Sequence, residues 1–270
     1  MQALPRISVI TPSLNQAGYI ERTIQSVLEQ NYPNLEYIVV DGGSTDGTLE
    51  ILKTYGRRLT WISEKDSGQS DGINKGMSMA TGDILAFLNS DDMYEPGVLT
   101  AVAARFMADP SIMWLTGRCR LIDEDDREVR SIITAYKNLL LDHYRYTLLL
   151  IANPISQPAT FWKKEVAAEI GLFDPNESLV MDYDYWLRIG KRYQPAILDE
   201  NLAAFRLHPQ SKTSLGRFLM IQRECAVSRK YSRSVFINVL HYLHAAGMGI
   251  AYLIIDMLSF SMLRKFTGRG

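Results

Sequence analysis

The chain has 270 residues, of which 47% are hydrophobic, and its formal net charge is -1. This length and composition suffice for one large domain or two small ones, and they exclude a mostly disordered chain. The two cysteines, Cys119 and Cys225, lack zinc-site or disulfide-scaffold spacing, so we expect free thiols in a reducing compartment. The first residues lack the pattern of a secretory signal, and export is not expected.

The charge is distributed unevenly along the chain. Residues 210–270 contain nine Lys/Arg and two Asp/Glu, a net +7, which leaves -8 on residues 1–209. Clustered cations suit nucleic acid or an anionic membrane surface. Long apolar stretches separate these cations, and this favours the membrane; no nucleic-acid partner is expected.

Strand and helix patterns alternate from the N-terminus, which is typical of an α/β protein. Right-handed crossovers between the strands would place the loops that follow them along one edge of a mostly parallel sheet. The predicted elements, in chain order, are strand Ile7–Thr11, helix Gly18–Gln30, strand Leu35–Asp41, helix Thr48–Tyr55, strand Leu59–Ser63, helix Gly72–Met79, strand Ile84–Leu88 and a helix that begins near Pro96 and ends at Ala108.

The pattern loosens after residue 112. Strands are predicted at Ile112–Leu115 and Cys119–Ile122, followed by an acidic turn, Asp123–Asp126. Four consecutive acids between short strands are typical of a solvated hairpin tip, so we do not interpret this turn as a metal cluster. The stretch from there to about Pro158 is predicted to be rich in loops, and we expect the acceptor side of a site there.

Two adjacent carboxylates follow the apolar strand Ile84–Leu88. Asn89 to Asp92 should emerge at the carboxyl end of this buried strand, where open α/β sheets bind ligands. Oxygen ligands without nearby cysteine suit Mg²⁺ or Mn²⁺ held together with substrate phosphates. A solvated acidic turn is the alternative interpretation.

The loops after the first two strands are also polar. The first, Thr11 to Asn15, offers hydroxyls, an amide and backbone N–H groups to a base or phosphate. In the second, Asp41 can accept a hydrogen bond from a base or sugar, its glycines allow a ligand to approach closely, and Ser44 or Thr45 could cap the next helix. Neither loop has a dinucleotide fingerprint, and a P-loop motif is missing from the sequence, which disfavours dehydrogenases and P-loop NTPases.

An ordered set of motifs resembles family 2 glycosyltransferases over roughly residues 5–212. The resemblance implies a GT-A fold, a single Rossmann-like nucleotide-binding domain, that transfers sugar from a nucleotide donor with inversion. The motifs are Ser8-Val-Ile-Thr-Pro-Ser-Leu-Asn15, Val39-Val-Asp-Gly-Gly-Ser-Thr-Asp46, Ser67-Gly-Gln-Ser-Asp71-Gly-Ile-Asn-Lys75-Gly, Gly82-Asp with Asn89-Ser-Asp-Asp92, Gln157-Pro-Ala-Thr-Phe161, Gly171-Leu-Phe-Asp174, Asp182-Tyr-Asp-Tyr-Trp-Leu-Arg188 and Phe205-Arg-Leu-His208.

The resemblance also implies roles for individual residues. Asp91 would bind the metal, joined by His208, while Asp92 would bind metal or ribose or cap a turn. Asp41 would contact the base. The residues expected to bind the nucleotide or the donor sugar are Thr11, Pro12, Ser13, Asn15, Asp41, Gly43, Ser44, Asp71, Asn74, Lys75 and Asp92, and Ser211 and Lys212 could close over the phosphate.

Asp182 is the expected general base, which would take a proton from the acceptor hydroxyl. The sequence departs from the family pattern at Asn89, where an acid is common, and at Met181, which replaces a glutamate. An apolar neighbour such as Met181 could raise the pKa of Asp182 and strengthen it as a base. Gln157, Thr160 and Asp184 are assigned to the acceptor side, although capping and a pair with Arg188 would also explain Asp184.

A charge-free stretch, Ser234 to Ile255, covers 22 residues of the basic tail. Its pattern is amphipathic, so we prefer a helix that lies in the plane of an anionic membrane over residues 234–263; a spanning helix, a packed core helix and an oligomer interface are the alternatives. The polar side consists of Asn238, His241, His244, Tyr252, Asp256 and Ser259, and the apolar side of Val235, Val239, Leu243, Ile250, Ile254 and Met257. The flanking cations are Arg229, Lys230, Arg233, Arg264, Lys265 and Arg269.

The sequence therefore predicts an enzyme at the inner face of the cell membrane. Its catalytic domain would cover residues 1–212, with a nucleotide-sugar half to about residue 110 and an acceptor half beyond it, and a helical tail would cover residues 213–270. A UDP-sugar is the favoured donor, with dTDP- and GDP-sugars as alternatives, and a glycan or a lipid-linked molecule is the acceptor. A catalytically weak scaffold and a sugar nucleotidyltransferase are the alternative functions.

Overall fold

The computed structural model describes residues 3–267, without the side chains of residues 214, 215, 217 and 255–267. The described part contains eight strands and ten α-helices. The strands are β1 Ile7–Ser13, β2 Leu35–Asp41, β3 Thr60–Ser63, β4 Ile84–Phe87, β5 Met93–Tyr94, β6 Trp114–Ile122, β7 Thr160–Lys163 and β8 Ala196–Arg206. The helices are α1 Ile20–Leu28, α2 Thr48–Thr54, α3 Gln69–Met79, α4 Val98–Ala108, α5 Ser131–Asp142, α6 Tyr146–Ile151, α7 Lys164–Ile170, α8 Met181–Gly190, α9 Lys212–Tyr231 and α10 Val235–Thr267.

All eight strands belong to one sheet, in the order β3-β2-β1-β4-β7-β6-β8-β5. The first four of these pair in parallel, β7 is antiparallel to both of its neighbours, and β8 is parallel to β6 and antiparallel to β5. The carboxyl ends of β1 to β4 therefore meet at one edge of the sheet. The predicted alternation of strands and helices in the first 108 residues is confirmed.

Helices cover both faces of the sheet, which explains why β1 and β4 are buried along their whole length. One face packs against α1, α2 and α4, through residues such as Ile24, Leu52 and Leu99. The other face packs against α3 and α8 and contains the aromatic rings of Trp114, Trp162 and Trp186. The core thus holds the sheet edge rigidly in place.

Helix α3 lies unusually close to β1 because Gly76 has no side chain. A Cβ atom at this position would lie 2.3 Å from Cγ2 of Ile10, which is too close for any two carbon atoms. The glycine therefore fixes the distance between α3 and the central strand, and the loop that precedes α3 lies at the sheet edge.

The structure corrects the prediction for residues 112–158 in two places. A single strand, β6, replaces the two predicted strands, and the stretch expected to be rich in loops contains α5 and α6. These helices form because Ile133 and Leu141 of α5, and Leu149 and Leu150 of α6, are buried. The leucine runs Leu139–Leu141 and Leu148–Leu150 obscured the helical period in the sequence.

The acidic turn is exposed at Glu124 to Asp126, as expected for a hairpin tip, but it also has a structural role. The buried Arg206 guanidinium pairs with Asp126 and donates from Nη1 to the Asp123 carbonyl oxygen at 2.9 Å. The turn is therefore tied to the end of β8.

Helix α10 turns its polar side toward the domain. His241 is buried, and its Nδ1 lies 2.7 Å from the Leu150 carbonyl oxygen of α6. Val235 and Leu243, on the apolar side, are 76% and 64% exposed. The predicted amphipathic pattern is confirmed as far as Ile254, whereas Asp256, Met257, Ser259, Arg264, Lys265 and Arg269 lie outside the described side chains. By length and composition, Val235–Ile254 could cross a membrane.

Candidate donor and catalytic site

The loops that follow β1 and β2 are joined by hydrogen bonds. The Asn15 amide donates to Oγ of Ser44 at 2.7 Å, and the Thr45 amide donates to Oδ1 of Asn15 at 2.8 Å. Asn15 has a positive φ of 53°, a conformation that asparagine tolerates better than most residues. Both loops therefore form one rigid wall at the sheet edge.

Asp41 organises this wall from inside. Its buried carboxylate accepts hydrogen bonds from the Gly43 and Ser44 amides at 3.0 and 2.9 Å and from Ser63 Oγ at 2.7 Å, and it also pairs with the Ser44 hydroxyl. With four hydrogen bonds from its own protein, Asp41 shapes the loop in which a base contact was predicted. Gly43 has a φ of 90°, which allows the turn.

Of the three nucleotide-binding residues predicted on β1, one is buried in the core and two line a cavity that opens at the sheet edge. Thr11 is buried, with Oγ1 3.1 Å from the Tyr37 hydroxyl, and does not line the cavity. Pro12 and Ser13 line it, and Ser13 Oγ is buried without a hydrogen-bond partner among the described residues. A free hydroxyl in this position is available to a ligand.

Sequence reasoning missed Asp66, which follows β3 and also lines the cavity. Its carboxylate accepts from the Gly68 amide at 3.0 Å and lies so close to Gly42 that a Cβ there would be 2.8 Å from Oδ2. Its position after a third parallel strand is the signal that could have identified it, because that strand ends at the same edge.

Asp71, Asn74 and Lys75 of α3 do not line the cavity. Lys75 Nζ pairs with Glu64 at 2.8 Å and with Asp71 at 3.4 Å. The Asn74 side chain both donates to the Phe173 carbonyl oxygen and accepts from the Phe173 amide. These groups fasten α3 to neighbouring loops.

Asn89 lies at the centre of a network of side-chain amides. Its Nδ2 donates to Asp92 Oδ2 at 3.1 Å and to Gln157 Oε1 at 2.9 Å, and its Oδ1 accepts from Gln69 Nε2 at 2.6 Å. Gln157 in turn donates to the Phe87 carbonyl oxygen at 2.5 Å. An aspartate at position 89 has no N–H to donate, so the network explains why an amide replaces the family's acid.

Asp92 is enclosed by protein. Its Oδ1 accepts from the Arg206 amide at 2.9 Å, which joins it to the end of β8. Burial and then the negative charge of Asp91 raise the pKa of Asp92 well above its usual range. Its carboxylate therefore connects the start of β5 to the end of β8. Asp92 does not line the cavity, so the structure gives no support to its predicted contact with the donor.

Asp91 and His208 form the pair that fits a metal. Oδ2 of Asp91 lies 3.0 Å from Nε2 of His208, and the two side chains are 19% and 1% exposed. Adjacent ligands of an octahedral Mg²⁺, each at about 2.1 Å, lie roughly 3 Å apart, so this spacing fits. The His208 ring packs on Tyr19 at 4.4 Å, and Arg206 Nε donates to the Asp91 carbonyl oxygen at 2.8 Å, which fixes both ligands.

The described residues contain no group of three His, Cys, Asp or Glu side chains that could hold a metal. Two ligands from the protein leave the remaining positions to other oxygen atoms, such as those of a diphosphate. Lys212 stands beside this pair: its Nζ donates to Gln69 Oε1 at 2.7 Å, and burial lowers its pKa.

Asp182, in the first turn of α8, lines the same cavity as Asp91. Burial raises its pKa. Glu224 of α9, which sequence reasoning missed, also lines this cavity, and burial together with the charge of Asp182 raises its pKa to about 7. Glu224 can therefore accept a proton near neutral pH, and Asp182 is a stronger base than an exposed aspartate.

Gln157 lines the cavity, but Thr160 and Asp184 do not. Thr160 is buried within the sheet and donates to the Ser156 carbonyl oxygen at 2.8 Å. Asp184 pairs with Arg188 at 3.0 Å, as the alternative interpretation proposed, and accepts from the Tyr231 hydroxyl at 2.8 Å. Both residues therefore support the fold around the site.

The cavity has a volume of about 630 Å³ and extends from the β1 loop past Asp91 and Asp182 to α5 and α10. This volume falls in the range of small-molecule and cofactor sites. The sheet edge, Asp91 and Asp182 thus open into one space, whereas His208 is buried behind Asp91 and does not line the cavity.

The sequence matches the family description "Glycosyl transferase family 2" over residues 8–168. Among curated proteins, a putative teichuronic acid biosynthesis glycosyltransferase, TuaG, of Bacillus subtilis is 31% identical over 92% of this chain and 94% of its own length. An uncharacterized glycosyltransferase of Haemophilus influenzae is 28% identical over 93% of this chain and 78% of its own length.

Solved structures show the same fold. A mannosyltransferase of Pyrobaculum calidifontis, in complex with GDP-Man and Mn²⁺, has a TM-score of 0.70 and 20% identity, and covers 99% of this chain and 81% of its own. Residues 1–349 of S. aureus TarS, in complex with UDP-GlcNAc, have a TM-score of 0.60 and 17% identity over 82% of this chain and 66% of their own. This chain spans 39% of a longer TarS chain.

The fold and the matches define the class: this is a GT-A protein and an enzyme, a glycosyltransferase that depends on a nucleotide-sugar donor. The chain belongs to glycosyl transferase family 2.

Proposed function

We propose that the protein transfers a sugar, with inversion, from a nucleoside-diphosphate donor to a hydroxyl of a glycan or lipid-linked acceptor, assisted by Mg²⁺ or Mn²⁺. The observation that supports this most directly is that Asp91, which contacts His208 at 3.0 Å, and Asp182 line one cavity. The catalytic unit is residues 1–212, and residues 213–270 attach it to its place of action.

The donor side uses the rigid wall formed by the first two loops, with Pro12, Ser13 and Asp66 toward the nucleotide. Asp91 and His208 would hold the metal, and a bound metal would stabilise the negative charge of the departing diphosphate. Lys212 adds a second positive charge on the same side of the cavity. A UDP-sugar is the favoured donor, consistent with the UDP-GlcNAc and UDP complexes of TarS, while the GDP-Man complex keeps a GDP-sugar as the alternative.

On the acceptor side, Asp182 removes the proton from the attacking hydroxyl. The hydroxyl oxygen forms a bond to the anomeric carbon as the bond from that carbon to the diphosphate breaks on the opposite face, so the configuration inverts. Because burial raises the pKa of Asp182, this carboxylate is a stronger base than an exposed aspartate.

The exposed apolar side of α10, with Arg229, Lys230 and Arg233 before it, supports a position at an anionic membrane surface. The relation to TuaG, a putative teichuronic acid biosynthesis glycosyltransferase, supports a role in building a surface polysaccharide. We place this role at the inner face of that membrane.

The test is a comparison of thermal stabilisation by UDP, GDP, dTDP and CDP, each with and without Mn²⁺. One nucleotide should stabilise the wild type in a Mn²⁺-dependent manner, and Asp91→Ala should abolish the dependence on Mn²⁺. Asp125→Ala, which removes an exposed aspartate of the acidic turn, is the matched control. If no nucleotide stabilises the wild type, the proposed function is wrong.

A further inference from the structure

The cavity consists of two parts with different chemistry. The part near the sheet edge is polar and includes Ser13, Asp66 and Asp91. The part between α5, α9 and α10 contains apolar side chains from all three helices, Ile133, Leu140, Ile221, Ala245 and Met248, together with the polar or charged side chains of Thr134, Lys137, Glu224, His241 and His244. We name this second part the inner chamber. A site for a sugar alone gains little from such a lining, because sugars bind through hydroxyl groups.

Polar groups mark the boundary between the two parts. Asp182, Glu224 and Asn153 line the cavity, and Glu224 is hydrogen-bonded to the Asn153 side chain. Asn153 Oδ1 is buried without a hydrogen-bond partner among the described residues, as is Thr134 Oγ1 on α5. Both side chains line the cavity, so a ligand that carries hydroxyl groups can form hydrogen bonds with them there.

Helix α10 forms one wall of the inner chamber, and its opposite side is apolar and exposed. Ala245 and Met248 of α10 face the chamber, whereas Leu243 and Ala246 lie on the exposed side of the same turns. A ligand held against the inner side of α10 therefore lies one helix diameter, about 10 Å, from the surface proposed to meet the membrane.

We propose that the inner chamber binds the apolar chain of a lipid-linked acceptor, with the sugar head of that acceptor against Asp182, Glu224 and Asn153. This inference rests on the proposed function, of which it specifies the acceptor class. The hydroxyl groups of a sugar head can donate hydrogen bonds to Asp182, Glu224 and Asn153 Oδ1 at this point. The chain of the lipid then extends between α5 and α10.

The experiment measures the binding of two probes to the full-length protein by calorimetry. The probes are n-decyl β-glucoside, used below its critical micelle concentration, and methyl β-glucoside, which has the same head without the chain. The decyl probe should bind at least tenfold more tightly. Ala245→Phe, which fills the chamber, should weaken its binding at least fivefold, and Ala246→Phe, on the exposed side of the same helix, is the matched control.

Met248→Gln provides a second variant that keeps the side-chain volume and places an amide in the chamber. It should also weaken the decyl probe while leaving Mn²⁺-dependent nucleotide binding unchanged. Equal binding of both probes, or equal weakening by Ala246→Phe, overturns the inner chamber as a lipid site. Because nucleotide binding is measured in the same samples, failure of the chamber is distinguished from failure of the transferase function.

Discussion

Oδ2 of Asp91 and Nε2 of His208 lie 3.0 Å apart, although 117 residues separate them in sequence. The pair forms because Asp91 follows β4 and His208 follows β8, and Arg206 fixes both strands' ends through its contacts with Asp91 and Asp92. This geometry makes His208 a testable ligand, because its ring nitrogen faces the carboxylate that the metal would bind.

We predict that His208→Ala lowers the apparent Mn²⁺ affinity of the nucleotide-bound protein at least tenfold, because one of two protein ligands is lost. Mn²⁺ titrations followed by thermal stabilisation, at saturating nucleotide, would measure this effect. His143→Ala, which removes an exposed histidine, should behave like the wild type. An unchanged Mn²⁺ affinity in a folded His208→Ala protein would show that this ring is structural, packed on Tyr19 and hydrogen-bonded to Asp91.

Asn89→Asp should destabilise the protein by about 1–3 kcal/mol, because the new carboxylate faces that of Asp92 and two donated hydrogen bonds are lost. Urea unfolding at pH 7 would measure the loss. The control is Asn201→Asp, at an exposed position of β8. If Asn89→Asp is as stable as this control, the amide network does not explain the departure from the family's acid.

Glu224 should make the protein less stable as pH rises. Its pKa is raised from 4.5 to about 7, so the folded state binds more protons than the unfolded state between these values. The free energy of unfolding should therefore fall by about 1–3 kcal/mol on going from pH 4.5 to pH 7 because of this group.

Glu224→Gln should remove that fall in the free energy of unfolding. Urea unfolding of the variant and the wild type at several pH values between 4.5 and 7 measures the difference, which isolates the contribution of Glu224 from that of other titrating groups. Glu29→Gln, at an exposed position of α1's C-cap, is the control. A pH profile of Glu224→Gln that is parallel to that of the wild type would contradict the raised pKa.

The sequence predicted the first four strands and their helices because β4 is a continuous apolar run, β2 contains the apolar run Tyr37–Val40, and the loops between elements are short and polar. It also placed Asp91 and Asp182 at the ends of elements, because each lies in a short contiguous motif that can be recognised without knowing the distant contacts. It could not predict the partners of Asp41 or Asn74, because Ser63 and Phe173 come from distant segments. Glu224 carries no local signal, since its environment depends on how α9 packs against α8.

The apolar side of α10 gives the last prediction, which concerns membrane binding. Phe236 and Leu243 are 71% and 64% exposed, and each would bury apolar surface at a lipid interface. The double variant Phe236→Ser with Leu243→Gln should bind anionic vesicles at least tenfold more weakly than the wild type does. A sedimentation assay with vesicles that contain about 30% anionic lipid would measure this. Leu172→Gln changes a leucine outside α10 that is 55% exposed, and it should have no effect. Retention of the double variant on the vesicles at wild-type levels would exclude this side of α10 as the membrane contact.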